Sequence, residues 1–273
     1  MNAGMNAGGT GRPVRIGLQV QPEHADYAAI RRAAAEAEEL GADVIFVWDH
    51  FFPLTGDLDG KHFECWTVLA ALAESTSRVQ LGPLVSCVGY RNPDLIADMA
   101  RTVDHISGGR ALLGLGSGWY EKDFTAYGYP FGTDGERLRG LAAALPRIKS
   151  RLSRLNPAPA GRLPLMLGGG GEKRTLRMVA EHADIWHAFQ DPATLRHKLS
   201  VLHRHCADVG RDPAQIEVAT SVSGLAAHEG APQELGPELR ELGVSLFIVG
   251  AGGPDFDLGT LRRWIAWRDA VNG

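Results

Sequence analysis

The feature that most constrains this chain is a pattern repeated eight times from Val14 onward: a short apolar run, a polar or Gly/Pro-containing break, then a longer stretch with helical spacing. The apolar runs are VRIGLQV from Val14, VIFVW from Val44, VQLGPLVSCV from Val79 and ALLGLG from Ala111. LPLMLGG from Leu163, DIWHAF from Asp184, IEVATSV from Ile216 and VSLFIV from Val244 follow. Most are continuous rather than alternating, as expected of strands covered on both faces. The stretches between them are amphipathic. YAAIRRAAAEAEELG closes on Gly41, FECWTVLAALAEST is the second, and PDLIADMARTVDHISGG starts behind Asn92 and stops at Gly108–Gly109. The fourth, GERLRGLAAALPRIKSRLSRL, contains Pro146, which is expected to kink or interrupt it. EKRTLRMVAEHA, PATLRHKLSVLHRHCADVG, PQELGPELRELG and GTLRRWIAWRDAV complete the set.

Eight strands alternating with eight helices require parallel crossovers, and the count predicts a single (β/α)8 TIM barrel rather than a doubly wound sheet. No linker divides the chain, so residues 14–273 read as one domain behind a Gly/Asn/Ala-rich tail, 1–13, expected to be disordered. The longest irregular piece is NPAPAGRL, Asn156 to Leu163, between the fourth helix and the fifth strand.

Charge and composition remove several function classes. Lys+Arg total 28 against Asp+Glu 32, a net charge of −4, and there is no basic stripe of the kind nucleic-acid binding needs. No run approaches the roughly 18 apolar residues of a membrane span, and the N-terminus lacks the pattern of a signal peptide. Cys65, Cys87 and Cys206 are odd in number and far apart, which suits a reducing cytoplasm rather than a disulfide framework.

Barrel chemistry belongs at the C-terminal strand ends. Those ends carry Trp48-Asp49-His50-Phe51, Ser86-Cys87-Val88-Gly89-Tyr90-Arg91, Gly116-Ser117-Gly118-Trp119-Tyr120-Glu121 and Gly168-Gly169-Gly170-Gly171-Glu172-Lys173-Arg174. Gly168 to Gly171 run into a helix, whose N-terminus carries about half a positive charge, and Lys173 and Arg174 add cations. The string reads either as a phosphate cradle or as an unliganded turn; it is not a P-loop. Gly114, Gly116 and Gly118 lack dinucleotide-fold spacing and mark either close packing or, with Trp119 and Tyr120, a wall beside a flat ligand. Asp49-His50 is the best acid–base candidate; equally, Asp49 caps a turn and His50 packs under Phe51. His203, His205 and Cys206 fall at about 240°, 80° and 180° from His197 on a helical wheel, so no zinc site is expected. Trp264 and Trp267 read as core. There is no GxSxG elbow and no evident base for Ser86, which argues against nucleophilic catalysis.

The ordered set VWDHFF, LGPLVSCVGYRNPDLIADMARTVDHISGGRALLGLGSGWYEKDFTAYG and LMLGGGGEKRTLRMVAEHADIWHA resembles the luciferase-like monooxygenase superfamily, and within it the F-420-dependent oxidoreductases. The resemblance spans Val14 to the last helix. It implies a barrel holding an 8-hydroxy-5-deazaflavin, F-420, or alternatively FMN, in its C-terminal mouth, commonly as a homodimer. It implies that His50 lies against the coenzyme's central ring with Asp49 as its acidic neighbour, and that Trp48 lines the ring. A non-prolyl cis peptide behind the ring is implied at Leu84–Val85 or Val85–Ser86. Gly116, Ser117, Gly118, Trp119 and Tyr120 match the loop touching the ribityl chain and phosphate, and Gly168, Gly169, Gly170, Gly171, Glu172 and Lys173 match the second phosphate-side loop. Sugar-phosphate dehydrogenase members have a glutamate where Trp119 stands, so their acid and substrate do not transfer. The usual long excursion between helix 4 and strand 5 is shortened to Asn156–Leu163, which is expected to leave the substrate side more open or reliant on a partner subunit. The expected function is hydride transfer between F-420 and a small organic molecule, in the cytoplasm, with no metal, membrane or nucleic-acid partner. An FMN enzyme, a non-catalytic deazaflavin carrier and an unrelated sugar-phosphate barrel are the alternatives.

Overall fold

The computed structural model describes residues 11–189, 191–223 and 230–273, so residues 1–10 of the expected tail lie outside the described residues. The strands are β1 (Arg15–Val20), β2 (Val44–Val47), β3 (Gln80–Pro83), β4 (Ser86–Cys87), β5 (Leu113–Gly116), β6 (Leu165–Gly168), β7 (Ile185–Ala188), β8 (Glu217–Ser221) and β9 (Val244–Ala251). The helices are α1 (Tyr27–Leu40), α2 (Cys65–Ser75), α3 (Pro93–Ile106), α4 (Glu121–Ala126), α5 (Asp134–Leu152), α6 (Thr175–His182), α7 (Pro192–Asp208), α8 (Pro232–Glu241) and α9 (Gly259–Asn272).

All strand pairs are parallel, in the order β3-β2-β1-β9-β8-β7-β6-β5-β4. Leu81 closes the ring against Ala111: its amide donates to the Arg110 carbonyl at 3.1 Å, and its own carbonyl accepts from Leu112 N at 2.9 Å. The expected third strand is divided into β3 and β4 at Leu84–Val85, which is a cis peptide bond. The two pieces form one stave, so among the described residues the barrel has the eight staves that the repeat predicts.

Strand side chains alternate between two apolar layers. Val44, Phe46, Leu112, Met166, Ile185, Ala219, Leu246 and Ile248 fill the barrel, while Leu18, Val47, Leu115, Leu167, Trp186 and Phe247 meet the helices outside. Burial on both faces explains why the apolar runs are continuous. Trp264 stacks on Phe247 with ring centroids 5.3 Å apart, and Trp267 meets the same ring edge-on at 5.2 Å, so the pair is core packing as expected.

Three features depart from expectation. α5 runs uninterrupted through Pro146. Pro146 and Ala142, whose carbonyl loses its helical donor there, both lie on the exposed side, where water takes the donor's place. α4, only six residues long, was not anticipated because so short a helix shows no periodicity. Finally, Asn156–Leu163 joins a helix C-terminus to a strand N-terminus and therefore lies opposite the mouth. It is held against α3 by Arg101 to the Pro157 carbonyl (3.1 Å), His105 to the Ala158 carbonyl (2.7 Å) and Gly161 N to Asp104 (2.8 Å). Its shortness does not open the substrate side.

Glycines make the C-terminal end of the barrel possible. A Cβ on Gly114 would sit 2.0 Å from the Pro83 carbonyl oxygen, and one on Gly116 would sit 2.6 Å from Val85 Cγ2. Backbone cannot yield as a flexible side chain does. Gly114→Ala is expected to destabilise the fold by about 3 kcal/mol or to abolish soluble expression, as read by urea denaturation.

Candidate active site

The mouth is built on a buried carboxylate. Asp49, directly after β2, accepts from Arg91 Nη1 (2.6 Å) and Nη2 (2.9 Å), Ser86 Oγ (2.9 Å) and Cys87 N (3.0 Å). Arg91 also reaches Glu64 at 2.5 Å, and Glu64 caps α2 by accepting from Trp66 N and Thr67 N. Burial disfavours the Arg91 charge, but Asp49 and Glu64 more than offset it and push its pKa upward. This set ties the β2 and β4 ends to α2.

The carboxylate that meets His50 is Asp123 of α4, not its chain neighbour Asp49. Asp123 is fully buried and accepts from His50 Nδ1 (2.6 Å), Tyr90 Oη (2.9 Å) and Phe51 N (2.9 Å). Burial, with neighbouring Cys87 and Asp123, pushes the Tyr90 hydroxyl far above its ordinary range, so it stays a donor. With two other donors on Asp123, His50 Nδ1 also donates, leaving Nε2 as the free nitrogen.

Around His50 stand Trp48, Trp119 and Tyr120, edge-on at centroid distances of 6.0, 5.7 and 5.6 Å. Trp119 is 61% exposed, unusual for so large an apolar group. Arg137 fixes the loop beneath it: Nε donates to the Gly118 carbonyl at 3.1 Å while the guanidinium lies 3.9 Å over Phe131. Half-buried Val85 tops the barrel core, in a space kept open by Gly116 and Gly168. Gly169, at φ +119°, then turns the chain toward α6.

The expected site residues therefore divide. Trp48, His50, Val85, Gly116, Ser117, Gly118, Trp119, Tyr120 and Gly168 to Gly171 belong to the rim and floor of one mouth. Asp49, Ser86 and Leu84 lie behind it: Asp49 and Ser86 are buried in the Arg91 set, and Leu84 joins the barrel core with its carbonyl accepting from Gln19 at 3.2 Å. Glu172 faces α7, accepting from Lys198 (2.8 Å) and His197 (3.1 Å), and Lys173 lies on an exposed turn. His205 also bonds the Glu172 carbonyl at 2.8 Å.

Sequence reasoning missed Asp123, whose only signal was an acid three positions after Tyr120, and gave no role to Tyr90 or Arg91 within the third strand-end loop. It also missed two neutral histidines. His62 accepts from Trp48 Nε1 at 3.2 Å, and burial, with His50 nearby, lowers its pKa to about 4. His187, inside the barrel on β7, bonds Ser221 Oγ at 3.0 Å, and burial lowers its pKa to about 3.

The luciferase-like monooxygenase family model matches residues 8–231. The chain belongs to that family. An F-420-dependent glucose-6-phosphate dehydrogenase of Kineococcus radiotolerans is 35% identical over 140 residues, 51% of this chain and 41% of that protein. The match thus spans less than half of that relative's length. Among solved structures, an F-420-dependent secondary alcohol dehydrogenase in complex with an F-420–acetone adduct aligns with a TM-score of 0.80 at 17% identity, covering 94% of this chain and 99% of the other. The oxygenating constituent of 3,6-diketocamphane monooxygenase from Pseudomonas putida, in complex with FMN, aligns at 0.61 and 15% identity, covering 78% and 68%. These two share the luciferase-like barrel. The chain is thus related to F-420-dependent oxidoreductases and to luciferase-like monooxygenases.

Two predictions follow from this site. Asp49→Ala strands the buried Arg91 charge and is expected to cost about 3–5 kcal/mol in denaturant unfolding. His187 is neutral in the fold but takes a proton when unfolded, so its contribution is full above pH 6.5 and is lost as pH falls toward 3. Stability measured from pH 7 to 5 is expected to fall, and His187→Gln to flatten the slope by up to about 1.4 kcal/mol per pH unit.

Proposed function

We propose that this chain is an oxidoreductase that holds F-420 in the barrel mouth and passes a hydride between it and a small organic substrate. The observation that carries this reading is the placement of His50, held by Asp123 among Trp48, Trp119 and Tyr120, at the mouth floored by Val85. The residues present fit such a group. Glycines at 114, 116 and 168 clear the floor around Val85, aromatic rings supply flat walls, and the Gly168–Gly171 amides with the α6 N-terminus suit a phosphate. The relation to F-420-dependent oxidoreductases supports the choice of coenzyme.

When bound, the deazaflavin supplies a ring carbon that gives or takes hydride, in place of the flavin nitrogen that opens oxygen chemistry. The chain's own residues do the rest. Val85 would back the ring, Gly116 to Tyr120 would follow its side chain, and the amides of Gly168 to Gly171 would hold the phosphate. Trp48, Trp119 and Tyr120 exclude water beside the reacting carbon. His50 Nε2 holds or moves a proton at the rim, and Asp123 fixes the tautomer through Nδ1. Asp49 acts as a positioning residue, holding the strand end that presents His50. A homodimer in the cytoplasm completes the reading.

FMN is the second reading, supported by the FMN-bound barrel of the same fold. Titrating the purified protein with F-420 and with FMN, followed by fluorescence, separates the two. F-420 is expected to bind about tenfold tighter or better; tighter FMN binding overturns the assignment. His50→Ala is expected to slow hydride transfer by about 100-fold or more with reduced or oxidised F-420. Unchanged rate and affinity would remove His50 from the mechanism, and bound coenzyme that exchanges no hydride with enones or quinones would make the protein a carrier.

A further inference from the structure

Beside the mouth, the loop after β2 is tied to the loop after β1. Residues 22–24 and 61–63 form a short antiparallel bridge: His24 N donates to the Lys61 carbonyl (2.9 Å), Phe63 N donates to the Pro22 carbonyl (3.0 Å), and Glu23 lies opposite His62. Glu23 is itself buried and accepts from Leu54 N and Thr55 Oγ1, both at 2.6 Å, which adds a second tie between the two loops. The backbone at His62 is therefore fixed from two elements. From this place half-buried His62 meets Trp48, whose Nε1 donates to its Nε2 at 3.2 Å.

That bond can run in one direction only, because an indole nitrogen donates and never accepts. Nε2 of His62 is therefore bare, and the proton sits on Nδ1, which is buried and has no partner among the described residues. A doubly protonated ring would set N–H against N–H at Trp48 and leave both nitrogens without an acceptor. Burial and, after it, nearby His50 and His24 lower the pKa to about 4 against the opposing effect of Asp123, so the ring is neutral near pH 7. An unpaired buried donor is a cost to the fold, and an apolar side chain at position 62 would remove it. What His62 supplies against that cost is the acceptor for Trp48.

Trp48 also meets His50 edge-on, with ring centroids 6.0 Å apart, so one indole touches both imidazoles. With its single polar atom spent on His62, the indole offers only carbon to the mouth. We infer that His62 is a positioning residue: it fixes Trp48 as an apolar wall beside His50 and so shapes the place of the coenzyme ring. This rests on the coenzyme reading above and adds to it a residue that acts through Trp48.

The hold on Trp48 is read in the coenzyme-free protein by deuterium exchange of its indole N–H, followed by nitrogen-15 NMR. The signal is identified as the one missing from Trp48→Phe. Exchange is expected to be about tenfold faster or more in His62→Leu, and within about threefold of the natural chain in His62→Gln, where an amide oxygen replaces Nε2 as acceptor. If His62→Leu does not fold, His62→Asn, whose acceptor falls short of the indole, takes its place. Exchange as slow in His62→Leu or His62→Asn as in the natural chain overturns the inference.

The consequence for the mouth is read as a double-mutant cycle on F-420 affinity, measured by fluorescence. His62→Leu is expected to weaken binding about tenfold in the natural background and to add nothing in the Trp48→Phe background, while His62→Gln costs less than about threefold. Effects at the two positions that add in full overturn the inference. Natural protein that binds no F-420, while indole exchange still follows the variants at position 62, supports the hold on Trp48 and overturns the coenzyme reading instead, so the two failures are distinguishable.

Discussion

The ion pair of Asp49 with Arg91 is the interaction on which the mouth depends. It joins the ends of two strands that carry candidate chemistry, and through Glu64 it fixes the start of α2 behind them. A buried pair of this kind is costly to form, and its worth to the fold is geometric: both oxygens of Asp49 are taken up, so the backbone at His50 has one place to go. From there a second carboxylate, Asp123, sets the orientation of the imidazole. The two acids share a layer of structure and divide the work, one holding the strand end and the other the side chain.

Much of the fold was legible in the sequence, because burial on both faces of a parallel sheet writes continuous apolar runs. A cis bond in the third strand was expected from the resemblance, and Leu84–Val85 is one of the two places it allowed; the division of that stave into two strands was not expected. What periodicity could not show were the events lasting only a few residues. α4 is too short to announce itself, yet it delivers Asp123. Pro146 was read as a break because sequence does not show which side of a helix faces water. Position along the chain likewise misled over Asn156–Leu163, where a short loop looked like an open mouth but lies at the other end of the barrel.

The candidate site was legible as a set of loops rather than as a set of partners. Trp48, His50, Trp119, Tyr120 and the glycine loops were marked by their places at strand ends, and the structure gathers the aromatic groups within about 6 Å of His50. Pairing is a different matter. Asp49 beside His50 in sequence suggested a pair, but successive residues on an extended segment point to opposite sides, which sends Asp49 behind the barrel wall. Asp123, 73 positions away from His50, takes the place that proximity in sequence assigned to Asp49.

The account rests on one mouth that receives a ring against Val85 and an anion at the glycine quartet. A crystal structure of the protein soaked with F-420 tests this most directly. The account predicts the ring packed on Val85 within hydrogen-bonding reach of His50 Nε2, with the phosphate on the Gly169–Gly171 amides. A ring bound away from His50, or a phosphate held on the β7–β1 side, contradicts it.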